Sequence, residues 1–256
     1  MNLQPESEID GAPRDQRNRH IIRFSQIDGA GIVYYPRYFE MLEDSFPESF
    51  AIRQSAELET RFQNPVRLGE QLLLEAQPGE TVEEITVLGK ARNETCFQLR
   101  KRSLAKPVQA AWQTRKDNFR RRAEVRDWMT GADGLMHLGR VYELTAVLME
   151  EWFALSLKCP FATLQSKDGA LVPTVSLKTE IQEMPRAGDK LGLELAVLHI
   201  GRSSLGLGIT VSREGELLLQ TRQTIVFVAH QDGQLQSVQI PPHLLPILNS
   251  QLAAGL

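Results

Sequence analysis

The chain is poor in cysteine and has no long apolar run. Only Cys96 and Cys159 occur among its 256 residues, so neither a disulfide scaffold nor a cysteine-rich metal module can be built. No uncharged apolar run approaches the roughly 18 residues a membrane helix needs, so no membrane partner is expected. The first twenty residues contain Glu6, Glu8, Asp10 and Asp15 and no apolar stretch, unlike a secretory signal. A basic excess is missing too. There are 29 Lys and Arg against 32 Asp and Glu, a net charge of −3, which argues against a nucleic-acid partner. The histidines, His20, His137, His199, His230 and His243, are too scattered for their spacing to indicate a metal site. Gly-x-Ser-x-Gly, Gly-x-Gly-x-x-Gly and P-loop patterns are absent. These absences lead to the expectation of a soluble protein of a reducing cytoplasm.

What is present is a repeat. With 42% hydrophobic residues the chain has enough apolar side chains for one large core or two ordinary ones. Residues 1–19 are polar and read as an arm. A short strand at His20–Phe24 precedes a helix over Pro36–Phe50, with Pro36 at the first helical position. Strands follow at Gln71–Ala76, Glu84–Ala91, Thr95–Arg102 and Val108–Thr114, the last from the alternation of Val108, Ala110 and Trp112. The same order then recurs. A helix is expected over Gly139–Leu157, followed by alternating runs at Val175–Ile181, Leu191–Val197, Leu205–Val211 and Leu217–Val228. Arg67-Leu-Gly69-Glu70-Gln-Leu72 matches Arg186-Ala-Gly188-Asp189-Lys-Leu191, and each follows a proline, Pro65 or Pro185. A tandem duplication explains both the match and the order. The expected organisation is a first repeat over 20–115, a basic linker over 116–128 and a second repeat over 129–248. Each repeat would be α+β, a long helix on an antiparallel sheet. The basic run from Arg115 to Arg126 is either a solvated connector or a landing strip for an anionic ligand or acidic partner.

The segment with the most chemical content is Arg23-Phe-Ser-Gln-Ile-Asp28-Gly-Ala-Gly31-Ile-Val-Tyr34-Tyr35-Pro36-Arg-Tyr38-Phe39-Glu40. It reads as a strand ending in an aspartate, a turn of small residues and a helix start. A carboxylate is thereby set near unpaired N–H groups at a helix N-terminus, which suit a developing oxyanion. Local chemistry leaves two readings open: Asp28 caps the turn, or it attacks or activates water toward an acyl carbon.

The run Asp28-x-x-Gly31-Ile-Val-Tyr-Tyr-Pro-x-Tyr38 resembles the signature of the 4-hydroxybenzoyl-CoA thioesterase family, whose members have the hotdog fold. The resemblance implies two tandem hotdog domains forming an intrachain pseudo-dimer. It implies Asp28 as the catalytic carboxylate and the amide of Tyr35 as the group that polarises the thioester carbonyl, with Gly31 in the substrate turn. Val172-Pro173-Thr174-Val175 resembles the family's strand after the helix, placing Thr174 at the substrate. Gly201-Arg202-Ser203-Ser204 resembles a turn that contacts coenzyme A phosphates. Ile240-Pro241-Pro242 resembles the closing segment.

Two departures bear on the site. In the first repeat the phosphate turn is matched to Ala91-Arg92-Asn93-Glu94-Thr95, which carries a carboxylate. In the second, Asp133-Gly-Leu-Met136-His137 resembles the aspartate turn, with Met136 at the glycine position and His137 as a second acid/base candidate. One working site is therefore expected, combining Asp28 and the Tyr35 amide with Arg202, Ser203 and Ser204. The resemblance implies an acyl-CoA thioesterase that needs no metal or redox cofactor and whose coenzyme A arrives as part of the substrate. The alternatives are a hotdog dehydratase, a thioesterase acting on an acyl carrier protein, or a non-catalytic acyl-thioester binder. Asp133 and His137 have three residues between them where hotdog hydratases have four. Pairing of pseudo-dimers into a homo-oligomer through sheet edges is a further expectation.

Overall fold

The computed structural model describes residues 17–79, 81, 84–112, 115, 117–231 and 234–252. The first half contains β1 (Arg19–Ile21), α1 (Pro36–Ser45), α2 (Pro47–Phe50), β2 (Ala56–Phe62), β3 (Gln71–Pro78), β4 (Ile85–Ala91) and β5 (Glu94–Ser103). The second contains β6 (Phe119–Glu124), α3 (Leu138–Leu155), α4 (Phe161–Asp168), β7 (Ala170–Leu171), β8 (Thr174–Ile181), β9 (Lys190–Ile200), β10 (Ser204–Arg213) and β11 (Glu216–Val226). The chain closes with β12 (Val228–Gln231), β13 (Gln234–Ser237) and α5 (Leu245–Gln251).

The sheet order exposes the duplication. Ten strands run β1-β3-β4-β5-β2-β8-β11-β10-β9-β6, so each half contributes five strands in mirrored order. They join where β2 pairs antiparallel with β8, from Ala56 opposite Ile181 to Arg61 opposite Ser176. The two long helices lie together over the sheet. Their equivalent rings Phe39 and Tyr142 stack at 3.8 Å. Equivalent ion pairs surround that stack: Arg37 with Glu40 at 2.5 Å, Arg140 with Glu143 at 2.6 Å, and Arg37 with Glu143 at 3.2 Å. Apolar side chains at helical spacing, Tyr38, Phe39, Met41 and Leu42 in α1 and Val141, Tyr142, Leu148 and Met149 in α3, are buried. Those faces set the helix positions.

Strand β2 is not among the runs the sequence suggested. Its alternation is present, but every second residue is charged: Glu57, Glu59 and Arg61. At the centre of the sheet Glu57 is only 5% exposed, and it is held by Arg102 of β5 at 2.6 Å and Lys178 of β8 at 3.0 Å. Partners from both neighbouring strands make burial of that charge tolerable.

The region between the repeats also departs from expectation. Within Val108–Thr114, residues 113 and 114 lie outside the described residues, and 108–112 form no strand. They form a strap across the outer face of the sheet. The N–H of Val108 donates to Gln182 Oε1 and that of Ala111 to Gln220 Oε1, each at 2.9 Å. Trp112 lies on Gly208 of β10, where a Cβ would stand 2.6 Å from the indole. The alternation does not track burial, since Trp112 is buried while Ala110 is exposed, and none of these residues belongs to a strand.

The stretch 116–128, expected as a linker, instead contains β6, which pairs with β9 from Phe119 opposite Leu195 to Glu124 opposite Lys190. Arg120 and Arg122 are exposed on this edge strand while Arg121 lies half-buried on the opposite side; Lys116 lies outside the described residues. Arg115, Arg120, Arg121 and Arg126 are ion-paired with Asp117, Glu194, Glu151 and Glu124. Of the arm expected over 1–19, residues 1–16 lie outside the described residues, and Arg19 already pairs with Leu73 in β1.

Gly208→Val should push Trp112 off the sheet, destabilising the protein by about 2 kcal/mol through overpacking. Urea unfolding followed by tryptophan fluorescence would show this as a lower midpoint with an altered native emission. An unchanged midpoint would mean that the strap contributes nothing.

Candidate active site

The turn after β1 is built by three local constraints. Ile27 bridges to Val33, the Asp28 N–H donates to Ile32 O at 2.8 Å, and the Gly31 N–H returns to Asp28 O at 3.0 Å. Gly31 sits at φ +75°, a conformation glycine reaches without a Cβ penalty. The Val33 N–H bonds Val66 O at 2.8 Å and fastens the turn to the segment before β3. Asp28 is thereby held with Oδ1 accepting from the N–H groups of Ala30 at 2.8 Å and Ile32 at 3.3 Å. Burial raises its carboxyl above the ordinary aspartate value despite these donors.

Tyr35 caps α1, and Pro36 follows it. The Tyr35 N–H meets no acceptor among the described residues, so it is an open donor at a helix N-terminus. Its phenol is buried, donating toward Tyr142 O and meeting Thr145 Oγ1, each at 3.3 Å. Asp28 and Tyr35 open on a cleft of about 680 Å³ whose walls come from both halves. The first half supplies Tyr34, Tyr38 and Phe62, and the second Ala146, Met149 and Phe161. Thr174, also in the wall, is buried and accepts from Gln223 Nε2 at 2.8 Å.

Arg202, Ser203 and Ser204 do not line this cleft. Their turn joins β9 to β10, and its carbonyls hold the chain's closing segment. Arg202 O accepts the Ile240 N–H at 3.0 Å, and Ser203 O accepts the Phe227 N–H at 2.7 Å. Nor is this turn the counterpart of Ala91–Thr95. The latter joins β4 to β5, and its equivalent joins β10 to β11; both carry left-handed residues, Arg92 and Asn93 in one and Glu214 and Gly215 in the other. The exposed cations in the cleft wall are Arg67 and Arg92, both from the first half. Arg92 is engaged by Glu70 and by Pro65 O.

The sequence reading missed two carboxylates, Glu43 at the second helix start and Glu150 in the cleft. In the second half the turn repeats bond for bond: Gly131 N–H to Leu135 O at 2.9 Å and Gly134 N–H to Gly131 O at 2.9 Å, with Gly134 at φ +72°. Gly134, not Met136, is therefore the counterpart of Gly31. Gly131, without a side chain, stands where Asp28 stands. Asp133 is displaced to the exposed position equivalent to Ala30, where it accepts only the Leu135 N–H at 3.1 Å.

The helix start is closed as well. Glu43 of α1 reaches across and accepts from the N–H groups of Leu138 at 2.7 Å and Gly139 at 3.3 Å. Leu138 is the counterpart of Tyr35, so the second amide is already filled. His137 Nδ1 lies 3.7 Å from the same carboxylate. The counterpart of Glu43 in α3 is Ala146, whose methyl leaves the Tyr35 amide uncovered. Pairing each half with itself finds this asymmetry; reading either half alone does not.

Glu150 is the other missed residue. It projects from α3 into the cleft, and burial together with the Asp28 charge raises its carboxyl above the ordinary range. In sequence it looks like any solvated helix residue.

No known protein-family model matches the chain, and no curated protein matches it by sequence. Solved structures do. One, provisionally described as an oleoyl thioesterase from Lactobacillus plantarum, is 6% identical over 83% of this chain and 96% of its own, with a TM-score of 0.63. A 4-hydroxybenzoyl-CoA thioesterase from Pseudomonas sp. strain CBS-3 is 15% identical, covering 51% of this chain and 98% of its own at a TM-score of 0.48. A 1,4-dihydroxy-2-naphthoyl-CoA thioesterase from Synechocystis is also 15% identical, covering 52% and 96% at 0.47. The fold is the hotdog, present twice in one chain. Among the described residues, no helix is long and apolar enough to cross a membrane.

Ala146→Glu should bring into the first half the carboxylate that closes the second. Covering the Tyr35 amide is expected to cut turnover of an acyl thioester by about 100-fold or more, with the melting transition retained. A folded variant with undiminished turnover would show that the amide takes no part.

Proposed function

We propose that the protein hydrolyses acyl-CoA thioesters at a single site per chain. The observation that carries this is the pairing of the Asp28 carboxylate with the open Tyr35 amide on one apolar cleft, while the equivalent positions of the other half are Gly131 and an amide filled by Glu43. The thioester carbonyl oxygen is placed at the Tyr35 N–H, which stabilises the charge of the tetrahedral intermediate. Asp28 attacks the carbonyl carbon itself or takes a proton from the attacking water. Collapse expels coenzyme A as a thiolate, which is reprotonated, and one water is consumed overall. Glu150 shares the cleft with Asp28, and burial together with the Asp28 charge holds its carboxyl above the ordinary glutamate range.

The acyl group is expected to be apolar, because Phe62, Met149, Phe161, Val172, Val228 and Leu235 line the cleft. Arg67 is assigned to the anionic portion of coenzyme A, where an arginine forms charge-assisted hydrogen bonds. With four arginines of the basic stretch already ion-paired, coenzyme A rather than an acidic carrier protein is the proposed carrier.

The test is thiol release from a panel of straight-chain and aromatic acyl-CoAs. Asp28→Asn should lower turnover on the order of 10³-fold, and a variant as active as the parent would overturn the assignment. The wild-type rate should fall with falling pH as Asp28 takes up its proton. Because burial raises that group, the midpoint should lie above the free aspartate value of about 3.9. Arg67→Ala should raise KM about tenfold with kcat little changed, as loss of one charged hydrogen bond predicts. An equal fall in kcat would instead place Arg67 at the transition state.

A further inference from the structure

Away from the cleft, three residues of different segments come together. Cys159 lies in the bend between α3 and α4, Asp168 is the last residue of α4, and His243 lies just before α5. One donor atom from each, the sulfur, a carboxylate oxygen and a ring nitrogen, all lie within 4.8 Å of one another. His243 Nδ1 is 3.8 Å from Asp168 Oδ1. Cys159 is buried while the other two side chains reach solvent.

The geometry points to a zinc-binding clip formed by Cys159, Asp168 and His243, with water as the fourth ligand. Tetrahedral zinc bonds of about 2.0–2.3 Å place ligand atoms about 3.3–3.6 Å apart. The three side chains therefore need to close by only about 1 Å, and two of them are exposed enough to do so. The donor set selects the ion. A thiolate with an imidazole suits zinc and disfavours magnesium or calcium, which take oxygen ligands. On binding, the thiol gives its proton to solvent and the thiolate takes its place on the metal. Separations in sequence hide the site, because the cysteine and histidine stand far apart and no Cys-x-x-Cys or His-x-x-x-His spacing marks it.

The position of the clip gives it a consequence. Phe161 follows Cys159 by two residues, and Val172 follows Asp168 across β7; both residues line the cleft. His243 leads into α5, which is anchored by Trp152 Nε1 donating to Gln251 Oε1 at 2.9 Å and by the bridge of Leu252 to Val197. Metal would thus fasten the closing segment to the bend that supports one wall of the substrate cleft.

The full chain, stripped with a chelator and titrated with zinc chloride, should take up one equivalent and gain thermal stability. Cobalt chloride should give the near-ultraviolet charge-transfer band that a thiolate ligand produces. Cys159→Ser should lose that band and weaken zinc binding by about 100-fold or more, since even outer partners of a metal site contribute 10–100-fold. His243→Ala, a change at an exposed side chain, serves where the serine variant fails to fold and should weaken binding likewise. Cys96→Ser should retain the band. Uptake well below one equivalent, or a cobalt band that survives Cys159→Ser, would overturn the proposal. None of these readouts depends on thioester hydrolysis.

Discussion

The antiparallel pairing of β2 with β8 is the interaction on which the rest of the structure depends. It makes one ten-stranded sheet out of two five-stranded ones and fixes the approximate two-fold relation between the halves. That relation places α1 against α3 with Phe39 on Tyr142, and so aims each helix at the N-terminus of the other. A cleft bounded by the start of one helix and the flank of the other is the direct result. The pairing also explains the burial of Glu57, whose two cationic partners come from the strands on either side of it.

Joining two copies in one chain removes the constraint that both sites be alike. In a dimer of identical subunits one residue at the Glu43 position would face both helix starts. Here the position can hold glutamate in one copy and alanine in the other. The glutamate serves the fold, since it satisfies two N–H groups at the start of α3 that would otherwise be left without partners. The alanine leaves the equivalent amide of Tyr35 uncovered, the donor that the proposed reaction uses. Loss of the carboxylate at Gly131 follows the same division. The turn keeps its hydrogen bonds and its left-handed glycine, because these hold the strand to the sheet, while the side chain that would carry chemistry is gone.

Much of the repeat was legible because its signals are local. Pro36 marks a helix start, alternation marks β3, β4, β5 and β8 to β11, and the Arg-x-Gly-acid turns mark the entries to β3 and β9. In both turns the acidic side chain accepts the arginine's own backbone N–H, at 2.9 Å from Arg67 and 2.8 Å from Arg186, a bond made within four residues. The misreadings share one origin. A strap held on a sheet by two backbone hydrogen bonds and a tryptophan can read as a strand, as residues 108–112 do. A charged central strand such as β2 does not look central, and an arginine-rich edge strand such as β6 looks like a linker. In each case the neighbour that determines the pattern lies far away in the chain.

The sequence by itself determined the two-layer repeat and the turn that presents Asp28 before a helix start, because those depend on side-chain period and on short-range hydrogen bonds. Only the tertiary structure decided which residues share a cleft. It brought Ala146 and Glu150 from α3 to Asp28, kept Arg202 out, and filled the second helix start with Glu43. These outcomes depend on contacts across roughly a hundred residues of chain, set by how the two halves pack and not by any property of a single segment.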